Sequence, residues 1–304
     1  MLQTTDTLLL VRPFRFRKNE ETAINNYFQE DLLSPLATQQ AQKEFDNFVN
    51  ALNTHKINTF VMQDEGEFDT PDSIFPNNCI SFHKRTAVRY PMFAENRRRE
   101  RKLNYLGALQ QWGLTFDDII DYTDFERENR FLEGTGSLIL DRINRIAYCA
   151  LSPRADAGIA HQFCLDLGYE LFIFEAKQTI GGLRKPIYHT NVMMSIGTQF
   201  AVVCTDSIDN RHEKRNLIKR LEETGKTIVD ISEDQVRSFA GNILEVRSVT
   251  GDPSIVMSSQ AYQSFTTEQR SLLCSWGQII HSPLDTIERG GGGSARCMLA
   301  EVFY

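Results

Sequence analysis

Cys297 is the penultimate residue of the run Glu288-Arg289-Gly290-Gly291-Gly292-Gly293-Ser294-Ala295-Arg296-Cys297-Met298. A cysteine attacks as its thiolate, so it needs a nearby base or positive charge. Consecutive glycines let a backbone turn tightly and approach a ligand closely. The same run also fits a surface linker beside a buried structural cysteine. A partner imidazole is found in Ile187-Tyr188-His189-Thr190-Asn191, and a carboxylate in Phe131-Leu132-Glu133-Gly134-Thr135-Gly136. His83, after Ser81-Phe82, is a further polar candidate. A thiol, an imidazole and a carboxylate together perform nucleophilic displacement at an electrophilic carbon, with the imidazole moving protons. Taken singly, His189 also reads as a structural histidine and Glu133 as a turn cap.

These residues lie far apart in sequence, so a regular architecture must gather them, and the chain carries a repeat. Hairpin-like pairs of Ile-, Val-, Leu- and Met-rich runs occupy residues 79–90, 137–151, 191–205 and 242–258. Helical periodicity follows each, over 97–112, 155–167, 211–223 and 260–274, and then a short apolar strand over 118–122, 170–174, 227–231 and 278–281. Even spacing of this kind signals a propeller or repeat array. A fifth unit forms if the ends join: strand 295–303 beside strand 5–12, then helix 34–52 and strand 58–62. Pairing the termini removes an exposed sheet edge. The expectation is therefore a five-bladed α/β propeller with pseudo-fivefold symmetry, one catalytic domain spanning 1–304, and a central cleft where equivalent strand ends meet. An open α/β sheet uses the same elements but leaves the strand-like last ten residues without a role.

Composition narrows the class. The 304 residues are 41% hydrophobic and 24% charged, as in ordinary globular proteins. A net charge of -7 argues against a nucleic-acid partner. The one dense basic run, Arg97-Arg98-Arg99, reads first as a solvated helix face. No apolar run reaches the roughly 18 residues of a membrane span, and no signal peptide is evident. The six cysteines (79, 149, 164, 204, 274 and 297) are widely spaced, so reduced thiols and a cytoplasmic location are expected. Metal-ligand spacings and nucleotide-binding motifs are missing, and neither a metal nor an organic cofactor is called for.

Taken together, the motifs resemble those of the guanidine-modifying enzymes, the arginine deiminase and amidinotransferase (pentein) superfamily. The run from Arg289 to Met298 looks like the deiminase C-terminal motif, with its arginine, its glycines and a final Cys-Met. Glu133-Gly134-Thr135-Gly136 is similar to Glu-Gly-Gly-Asp, keeping the Glu and losing the Asp. His189-Thr190-Asn191 resembles His-x-Asp. Asp72-Ser73-Ile74-Phe75-Pro76-Asn77-Asn78 resembles the entry to the first substrate strand. The resemblance implies an α/β propeller in which Cys297 attacks the central carbon of a small amino-acid substrate, His189 protonates the leaving amine and activates water, and Glu133 holds the imidazole. It also implies that Arg97, Arg154 and Arg289 bind the substrate carboxylate, with Asp72 and Asn78 close to the reacting group.

Two departures bear on the substrate. Deiminases clasp the guanidinium with two aspartates, and the matched positions here hold His83 and Asn191. A buried cation loses much stabilisation without anionic partners. A ureido group is neutral, which points to citrulline, cleaved to ornithine, ammonia and carbon dioxide as in the citrulline-utilisation branch. Arginine deiminase or amidinotransferase chemistry on a guanidine is the alternative, kept open by Asp72. A non-catalytic amino-acid-binding protein on the same fold is a third. The sequence leaves oligomeric state open.

Overall fold

The computed structural model describes residues 2–32 and 34–304. Five three-stranded sheets dominate, and all share one pattern. They are Ile80–His83 with Thr86–Arg89 and Asp118–Asp121; Leu138–Asp141 with Ile146–Ala150 and Glu170–Phe174; Met194–Ile196 with Phe200–Val203 and Thr227–Asp230; Leu244–Arg247 with Pro253–Ser258 and Gln278–Ser282; and Ala300–Glu301 with Thr7–Arg12 and Asn58–Gln63. In each sheet the first pair is antiparallel and the second parallel.

A parallel pair needs a crossover, and helices supply it: Ala157–Leu167, Arg211–Glu223 and Ala37–Thr54 are the longest. Ala37–Thr54 buries Ala41, Phe45, Phe48, Val49 and Leu52 on one stripe, at the spacing of a helix laid on a sheet. That stripe packs with Leu8, Leu10, Ile280 and Ile287. Middle strands such as Phe200–Val203 are fully buried, whereas the outer Asp118–Asp121 is mostly exposed and carries its aspartates on the edge.

The termini pair as expected, Leu8 opposite Glu301 and Leu9 opposite Ala300. Neighbouring sheets touch through their first strands: Ala300–Glu301 meets Ile80–His83, and Met194–Ile196 meets both Leu138–Asp141 and Leu244–Arg247.

The structure differs from the sequence reading in several places; the helix expected over 260–274, for one, is two, Ser259–Ser264 and Thr267–Cys274, parted at Phe265. The helix expected over 97–112 is a 3₁₀ turn, Arg97–Leu103, and an α-helix, Tyr105–Gln111. Asn104 divides them in a left-handed conformation (φ 53°), which asparagine tolerates, and caps the second by accepting from Gly107 N. Residues 295–303 pair only at Ala300–Glu301, because Ala295–Met298 forms a 3₁₀ turn. A hairpin, Lys177–Ile180 with Leu183–Pro186, was not anticipated; Gly181 and Gly182, both at positive φ, form its turn. Among the described residues, no helix is long and apolar enough to cross a membrane.

Candidate active site

A short turn precedes the first strand of every sheet: Pro76–Asn78, Gly134–Ser137, Thr190–Val192, residues 238–242, and Ala295–Met298. Glu133 and His189 sit at the N-caps of the second and third, and Cys297 lies within the fifth. Each turn presents a polar side chain at its strand's mouth. Asn78, His189 and Cys297 line one cavity together with Asp72, Arg97, Arg154, Tyr188, Phe75, Asn26, Gly291, Gly292 and Gly293.

Glu133 is fully buried, and its Oε2 lies 2.7 Å from His189 Nε2. Burial alone raises its carboxyl, but the Arg154 charge, the His189 bond and Arg97 outweigh that and hold it well below the usual carboxylate range. Burial lowers His189 to about 4 despite the Glu133 bond and charge, so at neutral pH the carboxylate is ionised and the imidazole neutral. An ionised acceptor at Nε2 requires the proton there, which leaves Nδ1 free to act as a base. Gly136 is needed beside it. A Cβ at 136 would collide with Asn78 Nδ2 and come within 2.8 Å of His189 Nδ1.

Cys297 is 3% exposed. Its sulfur accepts from Asn242 Nδ2 at 3.2 Å and from Asn191 Nδ2 at 3.4 Å. Burial pushes the thiol up, opposed by the Ser294 backbone, Asn242, Arg296 and Asn191. The glycine run is not a mobile linker: Gly290 and Gly291 end the helix Asp285–Gly291, and Gly292 turns the chain at φ 63°.

Asn78 has a fixed orientation. Arg97 Nη1 donates to its Oδ1 at 2.9 Å, and a guanidinium can only donate, so the amide nitrogen points the other way. Arg97 is itself held by Glu100 (2.7 and 3.0 Å) and Phe75 O (3.1 Å). Asp72 Oδ2 accepts from Asn19 Nδ2 (2.7 Å) and Thr22 Oγ1 (3.2 Å). Three buried atoms here lack a hydrogen-bond partner among the described residues: Asp72 Oδ1, Asn78 Nδ2 and Asn191 Oδ1. Buried polar groups without partners are costly, and convergent ones mark a ligand site.

Residues 18–32 lie against the site, and Asn26 lines the cavity. Arg154 donates to Thr22 O at 2.8 Å and, through Nε, to Asn25 Oδ1 at 2.9 Å. Asn26 Nδ2 donates to Gly292 O at 3.2 Å and Gln29 Nε2 to Gly291 O at 2.9 Å. The space these residues line is about 10 Å³, room for roughly one water.

Two expected site residues lie elsewhere. His83 ends the strand Ile80–His83, and at about 3.3 Å per residue it is carried roughly 10 Å beyond the mouth where that strand starts. There it bonds Ser81 Oγ (2.7 Å) and Arg142 Nη1 (3.2 Å) and packs edge-on to Phe163. Arg289 faces outward on its helix, 62% exposed, and pairs with Glu30 at 2.9 Å. Conversely, Asn242, Asn26 and Tyr188 reach the site although the sequence reading did not select them. For Asn242 the signal was present, since it opens the fourth repeated hairpin.

Solved structures share this architecture. The N-terminal domain of ArgZ, an arginine dihydrolase from the ornithine–ammonia cycle in cyanobacteria, bound to substrate, matches at TM-score 0.73 and 15% identity, covering 97% of this chain and 97% of that one. DDAH from Pseudomonas aeruginosa, complexed with citrulline, matches at TM-score 0.67 and 13% identity, over 99% of this chain and 100% of the other. No curated protein sequence matches. The chain is a C–N hydrolase of the guanidine-modifying pentein superfamily. Residues 12–304 match the family described as N,N dimethylarginine dimethylhydrolase, eukaryotic, and the chain belongs to that family.

Proposed function

We propose that the chain hydrolyses citrulline to ornithine, ammonia and carbon dioxide. Cys297 is the nucleophile, His189 the proton carrier and Glu133 the group that orients the imidazole. The reading rests on one observation: the unpartnered Asn78 Nδ2, turned from Arg97 and adjacent to His189. A ureido group has an oxygen to accept that donor, with N–H groups for Asp72 Oδ1 and Asn191 Oδ1. A guanidinium has only donors and leaves Asn78 Nδ2 unpaired, which costs roughly 1–3 kcal/mol.

In this mechanism His189 Nδ1 takes the thiol proton as the sulfur attacks the ureido carbon. The proton then passes to the δ-nitrogen as the C–N bond breaks, releasing ornithine and leaving a carbamoyl thioester. Water, deprotonated by the same nitrogen, displaces the sulfur. The resulting carbamic acid falls apart to ammonia and carbon dioxide. The relative ArgZ has been solved covalently bound to a reaction intermediate, which supports a covalent path. Arg154 meets the substrate carboxylate once residues 18–32 withdraw. Arg97, saturated by Glu100, Phe75 and Asn78, sets the Asn78 amide instead.

We read the five sheets as blades about one axis, supported by the contacts between first strands and the paired termini.

A guanidino substrate is the second reading. Asp72, which lines the cavity, has a carboxylate oxygen with no partner among the described residues, and ArgZ is an arginine dihydrolase. Purified protein incubated separately with citrulline, arginine and dimethylarginine, assayed for ornithine, citrulline and ammonia, decides between them. Ornithine from citrulline is expected; turnover of the guanidines with inert citrulline overturns the proposal.

A further inference from the structure

Cys297 has an unusual set of neighbours. Its sulfur accepts from two amide groups, Asn242 Nδ2 at 3.2 Å and Asn191 Nδ2 at 3.4 Å, and among the described residues it donates to none. The Asn242 amide cannot be turned over. Its nitrogen also donates to Asn191 O at 3.0 Å, and its oxygen accepts from Cys297 N at 3.4 Å. One N–H is therefore spent on a carbonyl and the other is aimed at sulfur. Asn242 is 1% exposed, so no water competes for that hydrogen. Donors without acceptors favour a sulfur anion over a thiol, because a thiolate accepts strongly and an S–H would waste its proton against N–H groups.

We propose that Asn242, assisted by Asn191, stabilises the sulfur anion that forms as His189 takes the Cys297 proton. The inference rests on Cys297 being the nucleophile and explains how attack proceeds on a neutral substrate. A guanidinium would bring positive charge to the sulfur, whereas a ureido group brings none, and the protein must then supply the stabilisation. Asn242 does so from the turn at the mouth of the fourth sheet, equivalent to the turn that carries His189 in the third.

Alkylation of Cys297 by iodoacetamide, followed by peptide mass spectrometry across pH, tests this without any substrate. An inactive protein on citrulline would thus leave the test intact. Asn242→Asp replaces the donor by a carboxylate of equal size. Its alkylation profile is expected to move up by a pH unit or more, with about tenfold slower labelling at neutral pH. Asn242→Ser, which keeps a donor, should recover part of the rate, and Asn191→Ala should shift the profile less than Asn242→Asp. Unchanged profiles in folded variants overturn the proposal. So does a result in the unmodified protein, which needs no variant to fold: Cys297 labelling no faster than the buried Cys79 and Cys149, whose thiols burial pushes up to about 12.

Discussion

Glu133 and His189 share one hydrogen bond, and each sets the other's charge state. The carboxylate raises the imidazole against the stronger effect of burial. Glu133→Gln removes the charge, so His189 falls further below about 4 and becomes a weaker base. Turnover should drop by on the order of 10²-fold or more, while alkylation of Cys297 persists; a variant with undiminished kcat would remove Glu133 from the mechanism. Cys297, His189 and Glu133 were legible because their residue types announce reactivity and the repeat places them at equivalent positions. His83 misled for a geometric reason: an offset of a few residues along a strand carries a side chain from mouth to far end. Asn242 stayed silent because an amide has no chemistry of its own and gains meaning only from the sulfur 3.2 Å away.

Among the elements, residues 18–32 matter most to access. An amino acid does not fit in about 10 Å³, so the site must widen to admit one, and residues 18–32 are bonded to its lining. Its grip is polar: Asn19 and Thr22 on Asp72, Asn25 on Arg154, and Asn26 and Gln29 on glycine carbonyls. Segments held by a few hydrogen bonds open at low free-energy cost. Asn19→Ala should loosen the grip, speeding tryptic cleavage after Arg17 or Lys18 several-fold and raising KM more than it changes kcat. Equal cleavage rates with an unchanged KM would show that Asn19 does not hold the segment. No periodicity marks such a segment, since scattered polar side chains make most of its contacts. The sheets were readable for the opposite reason: alternating apolar runs and polar turns repeat five times.

For the whole molecule, buried carboxyls tie stability to pH, and Glu288 is one whose effect can be isolated. Glu288 accepts from Ser294 Oγ at 2.5 Å, and its second oxygen has no partner among the described residues. Burial raises it to about 7, with Asp285 and Glu44 adding to the rise and Ser258 and Ser294 opposing it. Between its ordinary value of about 4.3 and this raised one, the folded chain binds a proton that the unfolded chain does not. Glu288 therefore costs stability above pH 7, and that cost fades as pH falls. Glu288→Gln should raise Tm by a few degrees at pH 8 and lose the advantage by pH 5; an equal effect at both would mean that Glu288 does not titrate in this range.

The pairing of Leu9 with Ala300 also bears on synthesis. During synthesis the strand Thr7–Arg12 waits for its antiparallel neighbour until Ala300–Glu301 is made, and the turn bearing Cys297 arrives just before that neighbour does. Four sheets are complete in the nascent chain before the sulfur exists. A product that stops before Ala295 therefore lacks both Cys297 and the strand that pairs with Thr7–Arg12.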